Sequence, residues 1–232
     1  MDEVEDINQN LFSAAWNGDY DQVSALISRG ADPAWTNTSD SYSYGGWSAL
    51  HNAAALGHVP VARLLLDNGW ELDKPNNLGR TPLHCAAVTG EVNMMVFLAV
   101  RGAELNTQTS GPAARPPGET PLHLAAKNGQ QAAVKMLLCC GADRQVINYN
   151  GETAEMVCRM SPGVFTEIED QGPEELLARA VNEQDWTTAA VLYSRGVDMD
   201  EWMDESMKRK VAALAGKWYR YRYSMEWMMD DC

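Results

Sequence analysis

The chain has 232 residues, 45% of them hydrophobic, and a formal net charge of −14; that is enough apolar material for a packed core and the wrong sign for general attachment to a phosphate backbone, so nucleic acid is not an expected partner. Its opening, MDEVEDINQN, is acidic and lacks the basic and apolar regions of a secretory leader, and no eighteen consecutive apolar residues occur, so neither export nor a transmembrane segment is expected. The five cysteines, Cys85, Cys139, Cys140, Cys158 and Cys232, are odd in number and contain no C-x-x-C pair, which argues against a disulfide framework or zinc module and for a reducing compartment, cytoplasmic and/or nuclear.

In chain order, the first unit spans about 8–38, where LFSAAWNGDYDQVSALISRGAD sets Leu11, Ala14, Ala15, Val23 and Leu26 at helical spacing and places Gly18 and Gly30 at its breaks. Three closely matched units follow at 46–78, 79–117 and 118–150. They carry SALHNAA, TPLHCAA and TPLHLAA, each two positions after a glycine (Gly46, Gly79, Gly118), and each histidine is followed six residues later by Gly57, Gly90 or Gly129. Ser48, Thr81, Thr120 and the weaker Thr153 are placed to N-cap a first helix, with Pro82 and Pro121 at its first position, where a missing N–H costs nothing. The glycines then end that helix in the left-handed conformation. A second helix in each unit buries Val61, Leu64 and Leu65, or Val96 and Leu98, or Val134, Leu137 and Leu138.

Two intervals are longer than the rest. Gly18 to Gly57 and His84 to His123 each span 39 residues rather than 33, so six extra residues enter the connections 36–46 and 108–118. The first carries Tyr42 and Tyr44 beside Trp35 and Trp47, and the second carries Arg115 between prolines. Loops on one edge of a repeat stack are usual contact points, and exposed Tyr and Trp are frequent interface anchors; drift in a tolerant loop, or an aromatic folded inward as a staple, are the alternatives.

Residues 151–173 form a degenerate fifth unit, broken by Ser161-Pro162-Gly163, and 174–204 a sixth in register with the first. From Met207 the apolar positions Val211, Leu214, Trp218, Tyr221, Met225 and Met228 alternate steps of four and three, which predicts an amphipathic helix over 205–232. Its polar face is basic, with Lys208, Arg209, Lys210, Lys217, Arg220 and Arg222. It reads as a cover for the last repeat, with a partner-docking arm as the sharper alternative and membrane anchoring as a third.

Taken together, the T-P-L-H-x-A-A boxes, the glycines and the period resemble the ankyrin repeat, strongly over 46–148 and more weakly over 8–38 and 151–200. The resemblance implies an all-α solenoid of about five to six helix-turn-helix repeats with β-hairpin loops over 1–204, closed by a C-terminal capping helix. It also implies a non-catalytic scaffold that binds a protein or peptide through hairpin tips and the concave face of the first helices. Matched position by position, the implied contacts are Trp16, Asn17, Tyr42, Tyr44, Trp47, Ala55, Leu56, Leu78, Arg80, Val88, Thr89, Arg115, Glu119, Lys127, Asn128, Asn150 and Glu152. The acidic body suits a partner with a basic surface. A regulatory subunit or adaptor that docks its enzyme through 205–232 is the alternative.

No constellation in the sequence points to catalysis or to a cofactor. His51, His84 and His123 fall at one position of successive repeats; packed helices lie about 8–10 Å apart, too far for the three to meet on one ion at about 2.1 Å. The resemblance assigns them a structural role across the turn. His84 and Cys85 are neighbours on a helix and point about 100° apart, with no orienting acid in view. Asn106 is read as a hairpin-stabilising residue, with side-chain hydroxylation of the kind the family suggests as the alternative.

Overall fold

The computed structural model describes residues 2–37, 45–110 and 118–158, together with Phe165. The unit 174–204, the helix 205–232 and most of 151–173 lie outside the described residues. Among those described, the chain forms eight α-helices and no β-strand, only an isolated bridge between Ile147 and Thr153.

The helices come in four helix-turn-helix pairs: α1 (Asp2–Asn17) with α2 (Tyr20–Ser28), α3 (Ala49–Ala55) with α4 (Val59–Asp67), α5 (Pro82–Thr89) with α6 (Val92–Val100), and α7 (Pro121–Lys127) with α8 (Gln131–Cys139). α1 starts at Asp2, ahead of the expected repeat boundary near residue 8. The other inner helices start where local chemistry starts them. Ser48, Thr81 and Thr120 hold extended backbone as N-caps, and Pro82 and Pro121 follow in the first turn. Gly90 closes α5 with φ 81°, a value that disfavours any side chain, and a Cβ there would collide with Gln130.

Packing builds two layers. α1, α3, α5 and α7 stack on one another, α2, α4, α6 and α8 stack behind them, and each pair contacts within itself. The inner layer can be that close because Ala53, Ala54, Ala86, Ala87, Ala125 and Ala126 are all fully buried. Between the layers run Leu50, Leu65, Leu83, Met94, Leu98, Leu122 and Leu137 in one continuous core. A side chain of that size contributes roughly 1.5–3 kcal/mol when fully buried. Leu64 and Leu138, expected inside, are only partly buried and pack against the core's edge. The core continues past the fourth pair through Ala154 and Phe165. Thr153 opens a turn there, its carbonyl accepting from the amide of Val157 at 3.3 Å.

The connections between pairs share one closing geometry. The amide of Asn37 donates to the Trp47 carbonyl and that of Gly46 to Asn37, both at 2.8 Å; Asn76 with Arg80 and Gly79, Thr109 with Glu119 and Gly118, and Asn148 with Glu152 and Gly151 repeat the pattern. Two residues lie between Asn76 and Gly79 and between Asn148 and Gly151, but eight lie between Asn37 and Gly46 and between Thr109 and Gly118. Both six-residue expansions therefore fall between closing bonds that are unchanged.

The first joint lacks the histidine bond of the later ones. Phe12 stands where later repeats have histidine, and the second unit reaches back instead: Asn52 Nδ2 donates to the Phe12 carbonyl at 2.9 Å, His58 Nε2 to Trp16 at 3.0 Å and Lys74 Nζ to Ala34 at 2.7 Å.

Candidate functional site: the inner helices and the hairpin row

The three histidines fix the surface on which everything else is displayed. His51 Nδ1 accepts from the Ser48 amide at 3.1 Å and lies 2.8 Å from Ser48 Oγ, while Nε2 donates to the carbonyl of Arg80, in the next repeat, at 3.0 Å. A carbonyl can only accept, so the proton is on Nε2, and the Ser48 hydroxyl donates to Nδ1. His84 repeats this with Thr81 and the Glu119 carbonyl, His123 with Thr120 and the Glu152 carbonyl. Burial pushes the pKa of His51 down to about 4 and that of His84 to about 3, the carbonyl bonds to Arg80 and Glu119 acting in the opposite direction. Each imidazole thus ties a cap to the following hairpin.

The residues whose carbonyls receive those bonds, Arg80, Glu119 and Glu152, form one column with Trp47 along the hairpin row. The last turns of the inner helices supply a parallel column, Trp16, Ala55, Val88 and Lys127, with Asn17, Leu56, Thr89 and Asn128 one position on. Lys127 Nζ bridges the two columns to Glu119 Oε1 at 2.9 Å.

Of the implied contacts, Trp16 (39%) and Leu56 (37%) are exposed large apolar groups. Asn17, Thr89, Asn128 and Asn150 are exposed, and Leu78, Arg80, Val88, Lys127 and Glu152 partly so. Trp47, Ala55 and Glu119 require correction, being 8%, 7% and 2% exposed. Trp47 folds onto Ala55 and Cys85 beside Phe12, its ring 5.8 Å from that of His51, so it is a staple between repeats rather than a free anchor. Glu119 is drawn in by Lys127, and its amide donates to Thr109 Oγ1 at 2.9 Å. Tyr42, Tyr44 and Arg115 lie outside the described residues.

Three of the four charged groups in the two columns are satisfied within the chain. Glu119 has Lys127, and the Glu152 carboxylate accepts from Asn148 Nδ2 at 3.0 Å and Asn150 Nδ2 at 3.4 Å, which holds its pKa below the usual range. Arg80 differs. Its backbone is held by Asn76 and His51, but its guanidinium has no hydrogen bond or ion pair among the described residues. Burial pushes the neighbouring Cys85 thiol up to about 12, with the Arg80 charge acting in the opposite direction; at neutral pH that thiol is un-ionised and a poor nucleophile.

The structure adds Tyr149, 64% exposed at the fourth hairpin tip, and Ile147, 54% exposed beside it. Tyr149 lies over Gly118, where a Cβ would meet its ring, as Asn77 lies over Gly46 two joints earlier. Aligning the hairpins by their closing asparagines, Asn76 and Asn148, would have singled it out. Asn106 Oδ1 accepts from the amide of Asp143 at 2.8 Å, so its side chain ties the third repeat to the turn after α8 in the fourth. None of the described helices is long and apolar enough to cross a membrane.

Comparison with known proteins agrees with this geometry. A family model described as ankyrin repeats, in three copies, matches residues 11–109, and one described as ankyrin repeat matches 117–149. A probable E3 ubiquitin-protein ligase of Oryza sativa subsp. japonica is 35% identical over 59% of the chain and 28% of its own length. The B-cell lymphoma 3 protein homolog of Mus musculus is 33% identical over 50% of the chain and 25% of its own length. The human neurogenic locus notch homolog protein 4 is 32% identical over 60% of the chain and 6% of its own length. The chain thus matches only a minor part of each of these relatives. Capped inner helices, left-handed glycines, a histidine ladder and matches over both stretches lead to one conclusion: the chain belongs to the ankyrin-repeat family.

Proposed function

We propose that this chain is a non-catalytic binding scaffold of the cytoplasm and/or nucleus, which holds a protein or peptide partner against the inner helices and the hairpin row. The observation that carries this reading is the pair of columns: Trp16, Leu56, Arg80, Val88 and Thr89 offer apolar and polar groups at repeat spacing, on helices locked by fully engaged histidines. A surface fixed in advance loses little conformational entropy on binding. The net charge of −14 favours a partner whose overall surface is basic and speeds its approach at low salt.

The direct test is affinity purification with the full chain and with a Leu56→Asp, Val88→Asp double variant whose helicity is confirmed by circular dichroism. A partner retained by the first and lost by the second supports binding on this face; one retained by both overturns it. The second reading, an adaptor that docks an enzyme through the basic amphipathic segment 205–232, rests on the spacing of Met207 to Met228. It requires that a folded 1–204 chain lose the partner while the double variant keeps it.

A further inference from the structure

Arg80 stands apart from every other charged group of the two columns. It lies at the foot of the short second hairpin, whose closing residues Asn76 and Gly79 enclose two residues, between a first and a third hairpin that each enclose eight. The closing turn beside Arg80 is therefore six residues shorter than those on either side, and Arg80 sits at its base. The preceding member of its column, Trp47, is packed inward, and the following one, Glu119, is already bound to Lys127. The guanidinium offers five donors in a planar fork, partly exposed, with no acceptor among the described residues. Val88 and Thr89, at the end of the same repeat's inner helix, and Leu56 in the preceding repeat are exposed or partly exposed members of the neighbouring column.

We infer that Arg80 is the recognition point for a carboxylate side chain, an Asp or Glu set among apolar residues of a partner segment that enters over the short hairpin. This rests on the groove reading above and specifies it. A guanidinium pairs a carboxylate through two parallel N–H···O bonds, and doing so at a partly buried position gives register as well as affinity. A phosphate dianion is the poorer match: it calls for a second cation, and Lys127 is committed to Glu119 in a chain of net charge −14. The partner surface as a whole is then basic while its central contact is acidic, because the field of the body steers the approach and the local fork decides the fit.

The test is selection from a displayed library of random peptides on the full chain, followed by binding of the selected peptides, made synthetically, to the full chain and its Arg80→Gln and Arg80→Lys variants. Thermal melting confirms that the variants fold. The expected result is a motif with one Asp or Glu at a fixed distance from apolar residues. Replacing that Glu by Gln weakens binding to the unaltered chain by about 10- to 100-fold, the range of a charge-assisted hydrogen-bonded pair, has little effect on Arg80→Gln, and leaves Arg80→Lys intermediate. Peptides without a fixed acid, or with equal affinity for Arg80→Gln, overturn the assignment of Arg80 while leaving the groove reading intact. A phosphoserine replacement that binds more tightly than the Glu peptide overturns the choice of carboxylate. Failure to select any peptide overturns the groove as a peptide-binding face, and this inference with it.

Discussion

His84 donates through Nε2 to the carbonyl of Glu119 at 3.1 Å, although 35 positions separate the two residues, six more than separate His51 from Arg80 or His123 from Glu152. The bond is nearly the same length in all three joints. The expansion between Thr109 and Gly118 is thus accommodated wholly outside the ladder.

It follows that the long third hairpin can be shortened without cost to the scaffold. Replacing 110–117 by Tyr-Asn, the pair that stands between Asn148 and Gly151, is expected to change stability by no more than about 1 kcal/mol, the scale of loop-closure entropy for such a change. Urea denaturation checks this. A loss of several kcal/mol would mean that the expansion packs on the stack.

Acid should destabilise the fold through the buried histidines. The unfolded chain protonates His51 and His84 near their ordinary value of 6.5, whereas the folded chain resists until about pH 4 and about pH 3. Between these limits the unfolded state binds more protons, so stability falls as pH falls, by up to about 1.4 kcal/mol per pH unit for each histidine. The stability lost is fully present above pH 6.5. Urea midpoints measured from pH 7.5 to pH 4.5 test this, with His84→Gln expected to flatten the slope because one of the two groups is gone. An unaltered slope in that variant would assign the acid sensitivity to the carboxylates.

Lys127 holds a nearly buried acid, since the Glu119 side chain is 3% exposed and that of Lys127 32%. Lys127→Met is expected to cost roughly 1–3 kcal/mol by leaving the carboxylate without its cation, and adding Glu119→Gln should recover most of the loss. Thermal melts of the two single variants and the double variant measure the coupling. Additive losses would show that the pair is not acting as one.

Glu91 occupies over Gly57 the place that Gln130 takes over Gly90. The Gln130 amide donates to the Val88 carbonyl at 3.2 Å, whereas a carboxylate at the same position in the ladder has no proton to give Ala55. Glu91→Gln should therefore stabilise the chain by about 0.5–1.5 kcal/mol, the net worth of one hydrogen bond. A neutral or destabilising result in urea would show that the Glu91 side chain is turned away from that carbonyl.

Local rules made much of this legible in the sequence. A hydroxyl three residues before histidine, a proline after the hydroxyl and a glycine after the double alanine depend on a few consecutive atoms, and Ser48, Thr81, Thr120 and Gly90 are found as read. Exposure is another matter, because it depends on what the neighbouring repeat presents. Trp47 looked like an anchor among aromatics and is instead packed on Cys85, which comes from the next helix pair. Tyr149 owes its environment to Gly118 of the preceding hairpin, 31 residues away in the chain, which local sequence does not display. Repeat position alone singles out Arg80; that its charge is unmatched among the described residues, while those of Glu119 and Lys127 are matched, is visible only with distances.

The backward-reaching bonds of the first joint bear on how this stack begins. Asn52, His58 and Lys74 all donate to main-chain carbonyls, those of Phe12, Trp16 and Ala34, and every amino acid carries a carbonyl. In these three bonds the first unit contributes nothing that depends on its side chains. That accounts for a leading repeat without the T-P-L-H box that still seats correctly, and it leaves the outward side chains of α1 free to diverge as long as Leu11, Ala14 and Ala15 keep filling the core. The joint between the first two units behaves as a socket, with its specification carried by the second repeat.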